Sequence, residues 1–352
     1  MSRDVLQVGI AGCGMVAQQW HIPGFLAGKN TRIAAVCDMN DELAATVARK
    51  YGIKHHYSNL ADMIENERLN ILDICVPHGQ HAALSIQGLQ AGCHILVEKP
   101  LATNCTEADE MIKASEYYRR KICVIHNRLF HPVVMKALSM IKNGGIGTII
   151  GVEIRDALRQ DHQKLTDGNH WCHKLPAGMF SEFLPHTVYL AERLVGDFEQ
   201  IELLTMKTRP ESWLRADEVR VIIKGEKGLA TILASCNSLR NTNTIDISGT
   251  MKQLHVDVYN SLLITESTRT ESRPCRALSN INQGWQYATS TISAVANTIL
   301  GNYQVGHAVL IRQFVQSILN DTDSPVPLQE GKKLIKNLEI IENKLIHSLN
   351  LT

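Results

Sequence analysis

A glycine-rich stretch, GIAGCGMVA (9–17), lies between an apolar run and a helix-like segment near the N-terminus. It contains the pattern GxGxxA, and its residues of interest are Gly12, Gly14, Met15, Val16 and Ala17. Glycines in such a turn let the backbone approach a pyrophosphate at a helix N-terminus, where free amides and the helix dipole favour negative charge. The stretch is therefore predicted to bind a dinucleotide, although tight turns also use glycine for steric reasons alone.

Asp38 ends the next apolar run, RIAAVCD (32–38). An acidic side chain at this distance from the glycine pattern can accept hydrogen bonds from the adenosine ribose of a dinucleotide. No Arg or Lys follows immediately to bind the 2′-phosphate of NADP, so the sequence favours NAD. The alternative for Asp38 is a helix-capping aspartate.

The run HILVEKPLA (94–102) begins as a strand and passes into Glu98, Lys99 and Pro100 without turn residues. Proline cannot donate to a sheet ladder, and it biases the preceding residue towards extended backbone. Lys99 is therefore predicted to be held extended at the end of a strand, at the edge where doubly wound sheets bind ligands. The alternative is a strand that simply ends in solvent.

The bulk composition excludes several classes of protein. The chain has 352 residues, of which 44% are hydrophobic and 20% are charged, as expected for an ordinary globular protein of two domains. Its net charge of +1 gives no basic excess for binding nucleic acid or an anionic membrane. The N-terminus has no signal-like segment, which predicts a cytoplasmic protein. The nine cysteines are scattered singly, and most are expected to be reduced core thiols.

Strand-like and helix-like segments alternate from the N-terminus to about residue 127, which predicts a doubly wound parallel sheet with helical crossovers. Pro23 is expected to kink the first helix. After about residue 128 several extended runs are separated by turn signals, which predicts an α/β domain with a large, mainly antiparallel open sheet. One helix of this second part is expected over about 180–195.

The sequence resembles the Gfo/Idh/MocA oxidoreductases, which include glucose-fructose oxidoreductase and inositol dehydrogenase. The resemblance rests on GIAGCGMVA, CVPHGQHAAL, AGCHILVEKPLA, KNGGIGTIIGVE and GMFSEFLPH, which together cover most of the chain. It implies a dinucleotide-binding Rossmann domain over residues 1–126 and a substrate-binding, oligomer-forming α/β domain over residues 127–352.

The same resemblance assigns roles to residues of the first domain. In this family the lysine of Glu-Lys-Pro faces the nicotinamide and the substrate, so Lys99 is expected to be catalytic and to contact both. Pro77, His81 and Glu98 are expected to belong to the cofactor site.

A second family pattern is an aspartate followed four positions later by a histidine, and here Glu182 and His186 match it. This spacing puts both on one helical face, so the carboxylate can orient the ring or stabilise its charge. The resemblance makes His186 the expected proton acceptor, Glu182 its orienting partner, and both of them substrate ligands. Glu182 replaces the usual aspartate, Tyr189 stands where many relatives carry a second one, and Pro185 interrupts the helix, so no particular sugar is indicated. A capped surface pair is the alternative.

The polar stretch 155–178 is interpreted as a substrate-facing loop. The side chains expected to meet hydroxyls or an anionic group are Arg155, Arg159, His170 and Trp171. His170, Cys172 and His173 lack the spacing of well-attested zinc sites, so no metal is predicted. A solvated loop is the alternative.

Together these features predict an NAD-dependent oxidoreductase that moves a hydride between nicotinamide and a secondary alcohol of a sugar, polyol or sugar derivative. His186 would accept the hydroxyl proton and Lys99 would stabilise the alkoxide. One alternative is an enzyme whose bound NAD cycles during sugar epimerisation or hydrolysis, and another is a ligand-sensing regulator. Lys99 and His186 argue against a sensor. The expected partners are a small sugar-like substrate and further copies of the chain, as a homodimer or homotetramer.

Overall fold

The computed structural model describes residues 5–267, 272–299 and 305–350. The chain divides into two compact units, Met1–Phe130 with Gln304–Lys336, and His131–Tyr303 with Asn337–Thr352. The first unit thus contains a C-terminal segment that the sequence analysis assigned to the second domain. An amphipathic helix pattern shows that a helix packs on something, but it does not show on which sheet.

The first unit is built on a six-stranded sheet in the order β3-β2-β1-β4-β5-β6. The strands are β1 Leu6–Ala11, β2 Thr31–Cys37, β3 His55–Tyr57, β4 Ile71–Ile74, β5 His94–Val97 and β6 Ile122–Val124. All neighbouring strands are parallel. The order runs outwards in both directions from β1, so a ligand-binding switch point lies between β1 and β4. The predicted doubly wound parallel sheet is confirmed.

The α-helices, in chain order, are α1 Ile22–Leu26, α2 Asp41–Tyr51, α3 Leu60–Asn66, α4 His81–Gln90, α5 Cys105–Tyr118, α6 Pro132–Lys142, α7 Gln163–Thr166, α8 Met179–Phe183, α9 Pro185–Val195, α10 Arg273–Ile299, α11 Gly306–Leu319 and α12 Leu328–Asn350. No helix in the described ranges is long and apolar enough to cross a membrane.

The backbone before Pro23 is irregular, as the sequence predicted. A π-helical turn, Ala17–His21, precedes α1, and the Ile22 N–H donates to the carbonyl of Ala17. Proline has no N–H and clashes with an ordinary helical turn before it, so a wider turn accommodates Pro23. The same turn points His21 into the interior, where it is 0% exposed.

The second unit is built on a seven-stranded sheet in the order β13-β12-β11-β7-β10-β9-β8. Its strands are β7 Ile149–Arg159, β8 Phe198–Met206, β9 Glu218–Gly225, β10 Gly228–Ser238, β11 Thr242–Gly249, β12 Lys252–Asp257 and β13 Leu262–Ser267. Only β7 and β10 pair in parallel, so the prediction of a mainly antiparallel sheet is confirmed. Helix α9 packs on β7 and β10, so the core of this unit lies between that helix and one face of the sheet.

Six of the nine cysteines are buried. Burial raises the pKa of Cys13 to about 12 and that of Cys37 and Cys93 to about 11. These side chains are therefore neutral thiols in the core, in keeping with the expectation from their apolar surroundings.

Candidate active site

The two glycines that follow β1 occupy different environments. Gly12 has φ +96°, and a Cβ there would lie 2.4 Å from the carbonyl oxygen of Cys75. No side chain fits at this position, and glycine is the residue that adopts this conformation without strain. A Cβ at Gly14 would have nothing within 4 Å. The backbone at the start of the following helical turn is therefore open to a ligand, as a pyrophosphate-binding loop requires.

The carboxylate of Asp38 links the end of β2 to the glycine loop. One oxygen accepts from the backbone N–H of Cys13 and the other from that of Asn40, both at 2.9 Å. The cap of α2 is Asn40, whose side chain accepts from Leu43 N at 3.1 Å, so Asp38 is not the helix-capping aspartate of the alternative. Each carboxylate oxygen can accept more than one hydrogen bond. The half-buried Asp38 therefore retains acceptor capacity for ribose hydroxyls.

Glu98 and Lys99 follow β5 directly and are buried, with 9% and 6% of their surfaces exposed. The alternative of a strand that ends in solvent is therefore wrong. The backbone N–H of Lys99 donates to Oε2 of Glu98 at 3.1 Å. The bond from Lys99 to Pro100 is cis.

His81 is the first residue of α4 and is 0% exposed. Its Nδ1 lies 2.7 Å from the carbonyl oxygen of Pro100, and its Nε2 lies 2.9 Å from that of Val76. Burial lowers the pKa of His81 to about 4, so the ring is neutral near pH 7 and donates through one nitrogen. The ring joins the chain after β4, where Pro77 lies, to the chain after β5. Its contact with the cofactor stays a prediction.

A cluster of buried titratable side chains next to Glu98 was missed by sequence reasoning. The Nδ1 of His21 lies 2.9 Å from both carboxylate oxygens of Asp73, and its Nε2 lies 2.9 Å from Oε1 of Glu98. His307, on α11, places Nε2 3.6 Å from the same Glu98 oxygen. One signal was available, because Asp73 stands in a strand predicted to be buried, where a carboxylate needs a partner.

Neighbouring groups in this cluster stabilise the charged forms of His21 and Glu98. Burial would raise the pKa of Glu98, but the hydrogen bond from His21 and the nearby ring of His307 outweigh burial and hold that pKa well below its usual range. Burial would lower the pKa of His21, but the carboxylate of Asp73, at 2.9 Å from Nδ1, outweighs it and holds that pKa well above its usual range. The ring of His21 is therefore an imidazolium, and the Glu98 carboxyl group is ionised, near pH 7.

In the second unit the predicted helix 180–195 is two helices, α8 and α9, because Pro185 lacks an N–H and begins the second one. Glu182 therefore lies in α8 and His186 in the first turn of α9. The side chain of Glu182 pairs with Lys164, whose Nζ lies 3.2 Å from Oε1. The predicted orientation of His186 by Glu182 stays a prediction.

Tyr189 is a partner of His186. Its hydroxyl lies 3.1 Å from Nδ1 of His186, and the two rings meet edge to face. Tyr189 is 1% exposed, so its ring is fixed by packing and can fix the direction of the half-buried imidazole. The spacing of three residues within a helix was the available signal, because such side chains are neighbours on the helix surface.

The residues of the polar stretch 155–178 do not all lie together. His170 accepts from the backbone N–H of Cys172 at 3.3 Å and so caps a short 3-10 turn, while the neighbouring Trp171 is 43% exposed. Arg155 lies in β7, where residues 152, 154 and 156 are buried and Arg155 is exposed. Successive residues of a strand alternate between faces, so Arg155 is on the sheet face opposite α9. This corrects the expectation that a single loop carries all these side chains.

Residues 6–126 match the family GFO_IDH_MocA, described as "Oxidoreductase family, NAD-binding Rossmann fold". The match places the N-terminal domain in the Gfo/Idh/MocA oxidoreductase family. The resemblance read from its sequence is thereby confirmed, and so is NAD as the cofactor of its N-terminal domain.

The chain is similar to curated oxidoreductases. Oxidoreductase P35 of Formosa agariphila is 26% identical over 198 residues, which are 55% of this chain and 62% of that protein. Levoglucosan dehydrogenase of Pseudarthrobacter phenanthrenivorans is 26% identical over 242 residues, 63% of this chain and 60% of its own. The matches thus span about three fifths of the length of these relatives.

The fold of the whole chain is also found in solved structures. The WlbA dehydrogenase from Bordetella pertussis, in complex with NADH and UDP-GlcNAcA, covers 98% of this chain and 96% of its own with a TM-score of 0.78. The sequence identity is 20%, so this likeness concerns the fold alone.

Proposed function

We propose that this chain is an NAD-dependent dehydrogenase that oxidises a secondary alcohol of a sugar, polyol or sugar derivative. The observation that carries the proposal is the burial of Lys99 at the carboxyl end of a parallel strand, in a domain of an NAD-binding oxidoreductase family. Ligands bind at this edge of doubly wound sheets. A lysine costs free energy to bury, so its burial here argues for a functional position.

The cofactor would be bound by the loop after β1 and by the end of β2. The open backbone at Gly14, followed by Met15 and Val16, suits the pyrophosphate, and Asp38 has acceptor capacity for the ribose. Its negative charge would repel the additional phosphate of NADP. When bound, NAD supplies an acceptor for the hydride of the carbinol carbon.

Two side chains would carry the proton chemistry. The ammonium group of Lys99 would stabilise negative charge on the substrate oxygen, and His186 would accept the hydroxyl proton through Nε2. Tyr189, at 3.1 Å from Nδ1, would fix the direction in which Nε2 points. Glu182, His170 and Trp171 are proposed to contact substrate.

The class of substrate is suggested by the relatives. One is named for levoglucosan, and the WlbA structure contains a sugar nucleotide. The polar side chains of the second unit suit a ligand with several hydroxyl groups.

We propose further that copies of the chain associate through the exposed face of the seven-stranded sheet. Four large apolar side chains lie on this face and are 48% to 70% exposed, namely Leu204, Met206, Ile222 and Leu229. Contiguous exposed apolar surface of this kind is typical of a protein interface. Analytical ultracentrifugation should give a dimer or tetramer, and a monomer at micromolar concentration would refute this part.

The test of the main proposal is reduction of NAD, followed by the absorbance of NADH, with a panel of sugars, polyols and sugar nucleotides. We expect turnover with at least one secondary alcohol, and none with primary alcohols of similar size. If NAD binds but no member of the panel is oxidised or reduced in either direction, the dehydrogenase proposal is wrong.

A further inference from the structure

We propose that His21 is a positioning residue that holds Glu98, and through it the backbone of Lys99, in the arrangement that the reaction needs. The proposal rests on the proposed catalytic role of Lys99. It adds a residue outside the expected site, because His21 is 0% exposed and cannot touch substrate.

A continuous series of hydrogen bonds connects His21 to Lys99. Asp73 accepts from Nδ1 of His21 at 2.9 Å, Glu98 accepts from Nε2 at 2.9 Å, and the other oxygen of Glu98 accepts from the backbone N–H of Lys99 at 3.1 Å. The Asp73 end of the series is fixed, since Asp73 belongs to the central strand β4. The side chain of Glu98 therefore has little freedom, and the start of the Glu-Lys-Pro segment is fixed with it.

The position of His21 also links this series to the cofactor loop. His21 ends the π-turn that follows the open glycine, Gly14, within the same helical segment. The segment that begins at the dinucleotide loop is thus hydrogen-bonded to the residue beside Lys99. One side chain thereby joins the segment that follows the dinucleotide loop to β4, through Asp73, and to the end of β5, through Glu98.

The hydrogen bonding requires a doubly protonated ring. Both ring nitrogens of His21 lie 2.9 Å from side-chain carboxylate oxygens, which accept hydrogen bonds, so the ring donates from both nitrogens. An imidazolium between two buried carboxylates also offsets the cost of burying their charges. The other titratable groups that face the cluster are Cys75, at the end of β4, and His307, on α11. Burial lowers the pKa of His307, so this second ring is neutral near pH 7.

A metal ion is the competing interpretation of the same atoms. The ligand atoms of His21, Glu98 and His307 lie within 4.8 Å of one another and have the types that zinc prefers. The 2.9 Å separation of Nε2 from Oε1 is a hydrogen-bond distance, and a metal ion would have to displace the proton between them. The geometry favours the hydrogen bond.

The kinetic test compares His21→Asn, Glu98→Gln and the double variant with the wild type. We expect each single variant to lower kcat about 10- to 100-fold, because a small displacement of a catalytic group has effects of this size. His21→Asn should in addition keep a KM for NAD within about threefold, since His21 is 0% exposed and lies outside the expected cofactor site. The double variant should be no slower than the slower single variant, since both changes break one series of contacts. His94→Asn is the matched control and should keep wild-type kcat. His94 is the first residue of β5, at the end of the strand opposite to Glu98.

Three results would overturn the proposal. One is wild-type kcat in His21→Asn under conditions where Lys99→Met is inactive, a result that leaves the proposed function intact. The second is additive loss in the double variant. The third is a single protonated ring nitrogen for His21 at pH 8 by nitrogen-15 NMR, a measurement independent of activity and of the folding of any variant. Glu98→Gln keeps the side-chain shape, so it carries the kinetic test if His21→Asn unfolds.

The zinc interpretation is tested on the same protein. Stoichiometric zinc in the purified protein, lost in His307→Gln, would replace the hydrogen-bonded bridge by a metal site. No bound zinc after incubation with an equimolar amount supports the bridge.

Discussion

Replacing Lys99 by Arg and by Met separates a catalytic lysine from a structural one. Lys99 is 6% exposed and begins the turn that follows β5, so its side chain occupies a confined position. A merely structural charge tolerates arginine, which keeps the charge. A lysine that stabilises an alkoxide does not, because the planar guanidinium cannot occupy the same point as the compact ammonium.

The expected magnitude follows from the loss of one preorganised charged donor. Such a loss typically lowers turnover by 10²- to 10³-fold, so both variants should lose at least about a hundredfold in kcat, or about 2.7 kcal/mol of barrier. The affinity for NAD should change by no more than about threefold, since no role in binding the adenosine half is assigned to Lys99.

The assay is hydride transfer at the nicotinamide absorbance, with calorimetric titration of NAD and thermal melts beside it. Lys121→Arg is the matched control. Lys121 lies at the amino end of the neighbouring strand β6, where it pairs with Asp321 at 2.7 Å and is 20% exposed. The control should keep wild-type kcat. The reasoning is refuted if Lys99→Arg stays active, or if both Lys99 variants unfold while Lys121→Arg is stable.

Three further predictions concern other residues. NAD should bind more tightly than NADP, and Asp38→Ala should reduce the difference between the two affinities, because each charged contact is worth about 1 to 3 kcal/mol. Equal affinities of the wild type for the two cofactors, measured by calorimetry, would contradict this prediction. His186→Asn should lower kcat by about 10² to 10⁴ with NAD affinity intact, and near-wild-type turnover would remove this histidine from the mechanism. Burial would raise the pKa of Asp217, but hydrogen bonds from the backbone N–H groups of residues 208–209 outweigh it and lower that pKa below its usual 3.8. The ionised carboxylate therefore stabilises the fold above pH 3.8, and this contribution is lost as the pH falls through the lowered value. Asp217→Asn should reduce Tm at pH 7 and much less at pH 3, whereas an equal reduction at both would exclude the charge as the cause.

Local patterns were sufficient for much of the first unit. Buried parallel strands read as apolar runs, and helices between them read as amphipathic segments, so the doubly wound sheet was predictable. The glycine pattern was informative because each glycine reflects a local feature of the backbone. Gly12 has a positive φ, and Gly14 has open space beside it. The position of Asp38 directly after β2 was predicted correctly, because the apolar run before it marks that strand locally.

Contacts between distant residues were not predictable from one sequence. His21 is separated by 52 residues from Asp73 and by 77 from Glu98, and no local periodicity encodes such a pairing. The face of β7 that Arg155 occupies depends on the register of the strand, in which a shift of one residue reverses every side chain. The C-terminal segment of the first unit was missed because its helical pattern does not specify a partner.

The central claim is that this chain oxidises a secondary alcohol by hydride transfer to NAD. The most direct measurement uses the best substrate of the panel with deuterium on its carbinol carbon and determines the deuterium content of the reduced cofactor by mass spectrometry. We expect one deuterium in each NADH formed and a slower reaction in Lys99→Met. Reduced cofactor without deuterium, or deuterium released to solvent, would contradict direct hydride transfer.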